Sequence, residues 1–261
     1  MKKLNGYLFA ILFLALGVTF FARNNFRSVR EIRPEVLREP HQYELIDRSV
    51  VHFTRNDYVY DLTPVYGYDI SALIVSKLDY GPFTISKSEK SFFTDLCLIW
   101  GSNAASGIFR APLVSYSQDC RWCSVRWSRP VDFNLNELSN DHLLARDRKL
   151  EKKIESFAVG DQVRLKGKLV DVKAHLTGKG GSYDASEISW KTSVIRTDHG
   201  AGACEVFYVE EAEILKRGNP LAHFLFMLSF YGLILLIAFN VFGFIREVIG
   251  FSGEQGPEGK S

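Results

Sequence analysis

Val159–His175, VGDQVRLKGKLVDVKAH, decides the fold class. Gly160-Asp161 reads as a turn, after which Val163, Leu165 and Leu169 alternate with charged residues. A period of two residues sends one row of side chains into a core and the other into water, as in a half-buried strand. Gly167 falls inside that strand, where a missing Cβ marks a bend or a bulge. A bent strand of the form G-D-x-V-x-L-x-G-x-L suits a small closed β-barrel of the OB type, with a sandwich as the alternative.

The flanking stretches keep to this pattern. Tyr66–Tyr80, YGYDISALIVSKLDY, is β-branched and aromatic, stops at Gly81-Pro82 and reads as a strand. Ser91–Gly101, SFFTDLCLIWG, suits a buried strand or a short helix–strand junction, and Leu113–Trp127 a strand kinked near Asp119. One helix is expected from Leu143 to Ser156, entered through Ser139, Asn140 and Asp141, whose side chains can accept from the free first-turn amides. Leu143, Leu144, Leu150, Ile154 and Phe157 share its apolar face, and the lysines and arginines around them form a solvated one. Gly178–Glu187 is a loop, and two further strands flank a glycine turn at Gly200 and Gly202. About five or six strands and one helix make a mainly β domain and exclude helical repeats.

Beyond this domain the composition changes. Leu221–Ile245, LAHFLFMLSFYGLILLIAFNVFGFI, has no Lys, Arg, Asp or Glu and, at about 25 residues, is long enough to cross a bilayer as a tilted helix. At the other end Lys2 and Lys3 precede the apolar run Leu4–Ala22, the layout of an export signal. Phe20, Phe21 and Ala22 lead straight into Arg23 without a small-residue cleavage site, so the run reads as an uncleaved signal anchor. The expected layout is a span at 1–23, a juxtamembrane connector at 24–64, a β domain at 65–217, a second span at 218–246 and a flexible tail at 247–261. Within the connector, Pro34 opens a short helix to Arg38 and Val50–Phe53 starts a strand.

Two spans put both termini on one side. Lys2, Lys3 and Arg246 on the terminal side are outnumbered by Arg23, Arg27, Arg30, Lys216 and Arg217 on the central side. The positive-inside count governs short loops, however, and a connection of roughly 190 residues is translocated largely regardless of charge. The signal-like start therefore places the centre on the exported side.

Four cysteines, Cys97, Cys120, Cys123 and Cys204, bound the chemistry. In an exported domain disulfides are the default, and four cysteines allow three pairings. Cys123 with Cys204 is favoured, because each lies in an expected strand and the two cysteines of C-x-x-C strain to close along an extended chain. An all-thiolate zinc site is the sharper alternative, but one C-x-x-C supplies half of the strong pattern. A cysteine beside a histidine, His142, His175 or His199, would be needed for covalent catalysis, and nothing in the spacing demands it. Arg196, Asp198 and His199 form a polar turn that is a candidate ligand contact. Phosphate loop, zinc-protease helix, nucleophile elbow and dinucleotide fingerprint are all missing. A net charge of +2 without a basic aromatic stripe gives no case for nucleic acid.

Several strings together resemble a little-characterised family of bacterial membrane-anchored proteins with an OB-like extracytoplasmic domain. They are Asp95-Leu96-Cys97 with Trp100-Gly101, Leu138-Ser139-Asn140 with His142-Leu143, Gly160-Asp161-Gln162-Val163 with Gly167, and Arg196-Thr197-Asp198 before Gly200-Ala201-Gly202-Ala203-Cys204-Glu205. The resemblance covers Tyr66 to Leu215, implies no activity, and makes Cys120 the odd cysteine. The resulting expectation is a non-enzymatic β domain without cofactor or metal, tethered to the bilayer of a bacterial inner membrane on its periplasmic side. Its partner is another membrane or envelope protein, or a second copy of the chain. The alternative is a cysteine-dependent enzyme or zinc module using Cys97, Cys123, Cys204 and a histidine.

Overall fold

The computed structural model describes residues 2–81, 84, 89–119, 122–178, 184–198, 200 and 203–253. It is sheet-rich, with a long apolar helix at each end. These helices, α1 (Lys2–Arg23) and α4 (Pro220–Gly253), form one compact unit, and Asn24–Gly218 forms the other. Asn5–Arg23 and Pro220–Arg246 are each long and apolar enough to span a membrane. They pack antiparallel: the Asn5 side-chain amide donates to Asn240 Oδ1 at 3.0 Å, and Gly232 leaves room for Leu12. A polar pair between two apolar helices is the kind of contact that holds such helices together away from water. The second helix runs past the expected limit at 246, and residues 254–261 of the expected tail lie outside the described ones.

The central unit contains β1 (His41–Tyr43), β2 (Val51–Arg55), β3 (Tyr58–Asp79), β4 (Thr94–Ile99), α2 (Gly101–Ser106), β5 (Val114–Asp119), β6 (Trp122–Trp127), β7 (Leu138–Leu144), α3 (Arg148–Glu155), β8 (Gln162–Leu176), β9 (Glu187–Trp190) and β10 (Glu205–Lys216). Strand neighbours run β1-β3-β4-β7-β10-β8-β9 with β2 on β3, and β3 also pairs with β8. The pairings β3-β4-β7-β10-β8 thus return to β3, which reaches both neighbours because it is 22 residues long. All pairs are antiparallel except β7 with β10. The main core gathers Tyr68, Leu96, Trp100, Leu143, Leu165 and Phe207, with Ile154 and Phe157 packing against them from α3 and just beyond its end.

The stretch that announced the fold behaves as its alternation requires, and the irregularity at Gly167 falls on its partner. The register of β10 slips between Val209 and Glu211 opposite Gly167, and a Cβ at Gly167 would lie 2.1 Å from the Tyr208 carbonyl oxygen. Gly160 takes φ +99, open to glycine at little cost, and a Cβ there would press on the Asn25 and Phe26 backbone. The next residue pins the end of the domain: the buried Asp161 carboxylate accepts from the Ala158 and Gly218 amides and from Arg217, at 2.9, 3.0 and 2.6 Å. Gln162 does the same for the entry, accepting from Arg33 N at 2.7 Å and donating to Glu31 O at 2.8 Å.

That latch explains the first correction. Residues 24–64, expected to be a connector, belong to the compact unit, with Val29 and Val36 buried in a third core cluster and β1, β2 and the start of β3 in the sheet. The expected Pro34–Arg38 helix is a single 3-10 turn, Pro34–Leu37. The second correction concerns the helix at 143–156. Residues 138–144 are a strand, and α3 begins at Arg148 behind Asp147, whose side chain accepts from the Lys149 amide. Within the stretch 113–127, β5 and β6 pair antiparallel as the two arms of a hairpin, with β5 ending at the expected break, Asp119.

Candidate functional site

Strand β7 carries Ser139, Asn140, Asp141 and His142, and all four are buried. Alternation divides them: Asp141 lies on the face of Leu143 in the main core, and His142 on the face of Leu144 in a second one. Burying polar groups on both faces costs free energy unless each finds a partner. Across the ladder Asp95 stands opposite His142, Cys97 opposite Asn140, and Glu205 opposite Asp141.

On the core face, two carboxylates share one cation. Arg196 Nη1 donates to Glu205 Oε1 at 2.6 Å and Nη2 to the Tyr68 hydroxyl at 3.0 Å, while the guanidinium stands 5.3 Å from the Trp100 ring. Ser139 Oγ donates to Asp141 Oδ2 at 3.1 Å, but Asp141 Oδ1 and Glu205 Oε2 find no donor among the described residues. Burial first, and then the Glu205 charge, pushes Asp141 well above the usual carboxylate range. Burial pushes Glu205 up to about 7 against the pull of Arg196. Burial alone would lower Arg196, but Tyr68, Glu205 and Asp141 outweigh it and keep the guanidinium charged. Both carboxyls therefore keep their protons to a higher pH than free ones do.

On the opposite face, His142 Nδ1 lies 2.9 Å from Asp95 Oδ1, both fully buried, and the Tyr80 hydroxyl donates to Asp95 Oδ2 at 2.6 Å. Phe92 stacks on the imidazole at 5.2 Å and Trp190 meets it edge-on at 5.5 Å. A histidine–carboxylate pair can relay a proton only to a group that reaches it. The contact between them lacks hydrogen-bond geometry, and neither side chain borders a cavity lined by Cys204, by Arg164 or by Glu211, so no accessible group reaches the pair.

One accessible cleft, of about 290 Å³, lies between β6, the start of β7 and the segment before β10, and another, of about 410 Å³, is lined mostly by charged residues around Arg33, Asp69 and Arg164. Cys204 lines the first, accepting from Asn140 Nδ2 at 3.3 Å, and Asn140 Oδ1 in turn accepts from Gln118 of β5 at 3.2 Å. Burial pushes the Cys204 thiol up to about 11, which keeps it protonated and a poor nucleophile at neutral pH.

Cys123 is bonded to Cys97 and not to Cys204, with Cα atoms 5.7 Å apart. Cys97 faces outward from β4 beneath the hairpin, where β6 brings Cys123 directly over it, whereas Cys204 precedes β10 and stays a free thiol. A link across 26 residues contributes about 3 kcal/mol through the entropy it removes from the unfolded chain. Cys120 lies outside the described residues. The polar turn also divides: Arg196 turns inward to Glu205, Asp198 accepts from Ser193 Oγ at 2.5 Å and borders the cleft, and His199 lies outside the described residues. No group of three or more His, Cys, Asp or Glu among the described residues is placed to hold a metal ion.

Asp95, Asp141, Glu205 and Tyr68 enter the sequence reading only as a helix-entry residue, as members of the resembling strings or inside a strand, and none of them as a site residue. Asp141 was assignable to a helix cap, and Asp95 and Glu205 each sit singly beside apolar runs that conceal them. The readable signal was the alternation Leu138, Asn140, His142, Leu144 against Ser139, Asp141, Leu143, which is strand-like once polar residues are allowed inside. No protein-family model matches the chain, and no match is found among curated proteins or solved structures, so the site alone carries the functional argument.

Proposed function

We propose that the chain is a membrane-tethered binding module, with its central domain folded as an OB-type barrel on the periplasmic side of a bacterial inner membrane. Its work is recognition of, or assembly with, an envelope protein. The pairing order supports the barrel: numbering the five ring strands along the chain gives 1-2-3-5-4-1, with strands 3 and 5 parallel and a helix between 3 and 4. In OB folds the surface of strands 2 and 3 takes oligonucleotides or oligosaccharides. Here those strands, β4 and β7, are buried almost throughout, which argues against that use. The Cys97–Cys123 pair supports an oxidising compartment.

The observation that carries binding over catalysis is the separation of reactive groups from the accessible cleft. The ionisable pairs of β7 are sealed in the two cores, and the cleft offers a thiol held protonated. The measurement that tests this is a thiol count of the purified full chain under denaturing, non-reducing conditions, with elemental analysis. Cys97 and Cys123 are expected to resist alkylation, and no zinc is expected to co-purify. Four free thiols and one zinc per chain would instead favour the cysteine-dependent or zinc-binding module.

A further inference from the structure

Residues next to each other along a strand point to opposite faces, so a cavity that meets a strand by its face touches every second residue. The cleft instead touches Trp122, Cys123, Ser124 and Val125 in succession, and across from them Leu138, Ser139 and Asn140. It therefore lies along two strand edges.

The edge of β6 is open, since β5 is its one strand partner among the described residues. The Ser128 amide donates to Leu113 O at 3.3 Å, which fixes the phase of the hairpin. Carried along the register, that phase makes Ser115 with Arg126, Ser117 with Ser124, and Asp119 with Trp122 the bonded pairs. The N–H and C=O of Cys123 and Val125 then point away from β5, and both residues line the cleft. Opposite, β4 pairs with β7 from Leu138 onward, but β10 joins the other side of β7 only from Asp141.

We infer that the cleft takes an extended peptide segment of a partner protein as an added strand along β6. A row of backbone donors and acceptors at strand spacing is matched by another backbone, and by no compact small molecule. Asp198 is the one charged side chain among the described residues lining the cleft, so the segment carries a Lys or Arg beside it. This inference rests on the binding reading and names the class of partner.

The probe is a fluorescein-labelled heptapeptide alternating valine and lysine, titrated onto the full chain in detergent. Beside it runs the same peptide N-methylated at alternate amides, which keeps charge and side chains but blocks pairing along one edge. Binding is expected to weaken about tenfold on methylation of the edge that faces β6, the scale of a lost backbone hydrogen bond. Val125→Pro is expected to weaken it similarly, because it deletes an outward N–H while leaving the bonds to β5 in place. Equal affinity for both peptides, an unchanged affinity in Val125→Pro, or no binding overturns the inference. A native-membrane complex crosslinked through residues far from β6 would overturn it too, and would leave the binding reading standing.

Discussion

Arg196→Met is expected to destabilise the Asn24–Gly218 unit by about 3 to 5 kcal/mol at pH 8, the cost of leaving a buried charge without its partner. Two buried carboxylates, Asp141 and Glu205, lie beside one guanidinium whose side chain is 30% exposed, and methionine keeps much of the volume while removing the cation. The loss should shrink near pH 5, where the carboxylates can take up protons, and adding Glu205→Gln should recover part of it. The wild-type pH dependence has a definite sign. Both carboxyls are raised in the folded state, so the folded chain binds more protons than the unfolded one between the ordinary carboxylate range and about pH 7. Stability from this cluster is complete at the acid end of that window and declines as pH rises through it. Glu205→Gln should flatten the decline, measured as urea midpoints from pH 5 to 8 by tryptophan fluorescence. A wild-type midpoint that rises through this window relative to Glu205→Gln would contradict the upward shift of these carboxyls.

Gly167→Ala carries the second large effect. The added Cβ would meet the Tyr208 carbonyl oxygen at 2.1 Å and the Glu210 amide nitrogen at 3.0 Å, and both are backbone atoms that no rotamer change can move. Strands β8 and β10 must separate at the slip in register, so the expected loss is about 3 kcal/mol or more, beyond ordinary overpacking, with failure to fold as the extreme. Gly178→Ala is the control: nothing lies within 4 Å of its Cβ, and its effect should stay within about 0.5 kcal/mol. Comparable midpoints for the two variants would mean that the slip opposite Gly167 is not held as described.

How much of this was legible follows from what each residue does locally. Gly160, Asp161, Val163, Leu165 and Gly167 carry turn, alternation and bend within one stretch, so the strand could be read without its neighbours. The two apolar ends were legible because length and composition alone define them. Strand β7 was hidden because its inward residues are Ser, Asn, Asp and His, and a buried polar residue is recognisable only once its partner on another strand is known. The connector was hidden for a related reason. Its charges and prolines look solvated, while Val29 and Val36 are buried against β3 and β4, and Gln162 supplies the bonds to its backbone. Cysteine pairing depends on which strand passes over which, a property of topology that spacing along the chain does not encode.

The central claim is that two membrane spans bracket a β domain lying on the exported side. Reporter fusions after Ser261 test it most directly. The account puts both termini in the cytoplasm, and so predicts a fluorescent green-protein fusion and an inactive alkaline-phosphatase fusion. An active phosphatase at that position would place the termini outside and the domain within the cell, and would contradict it.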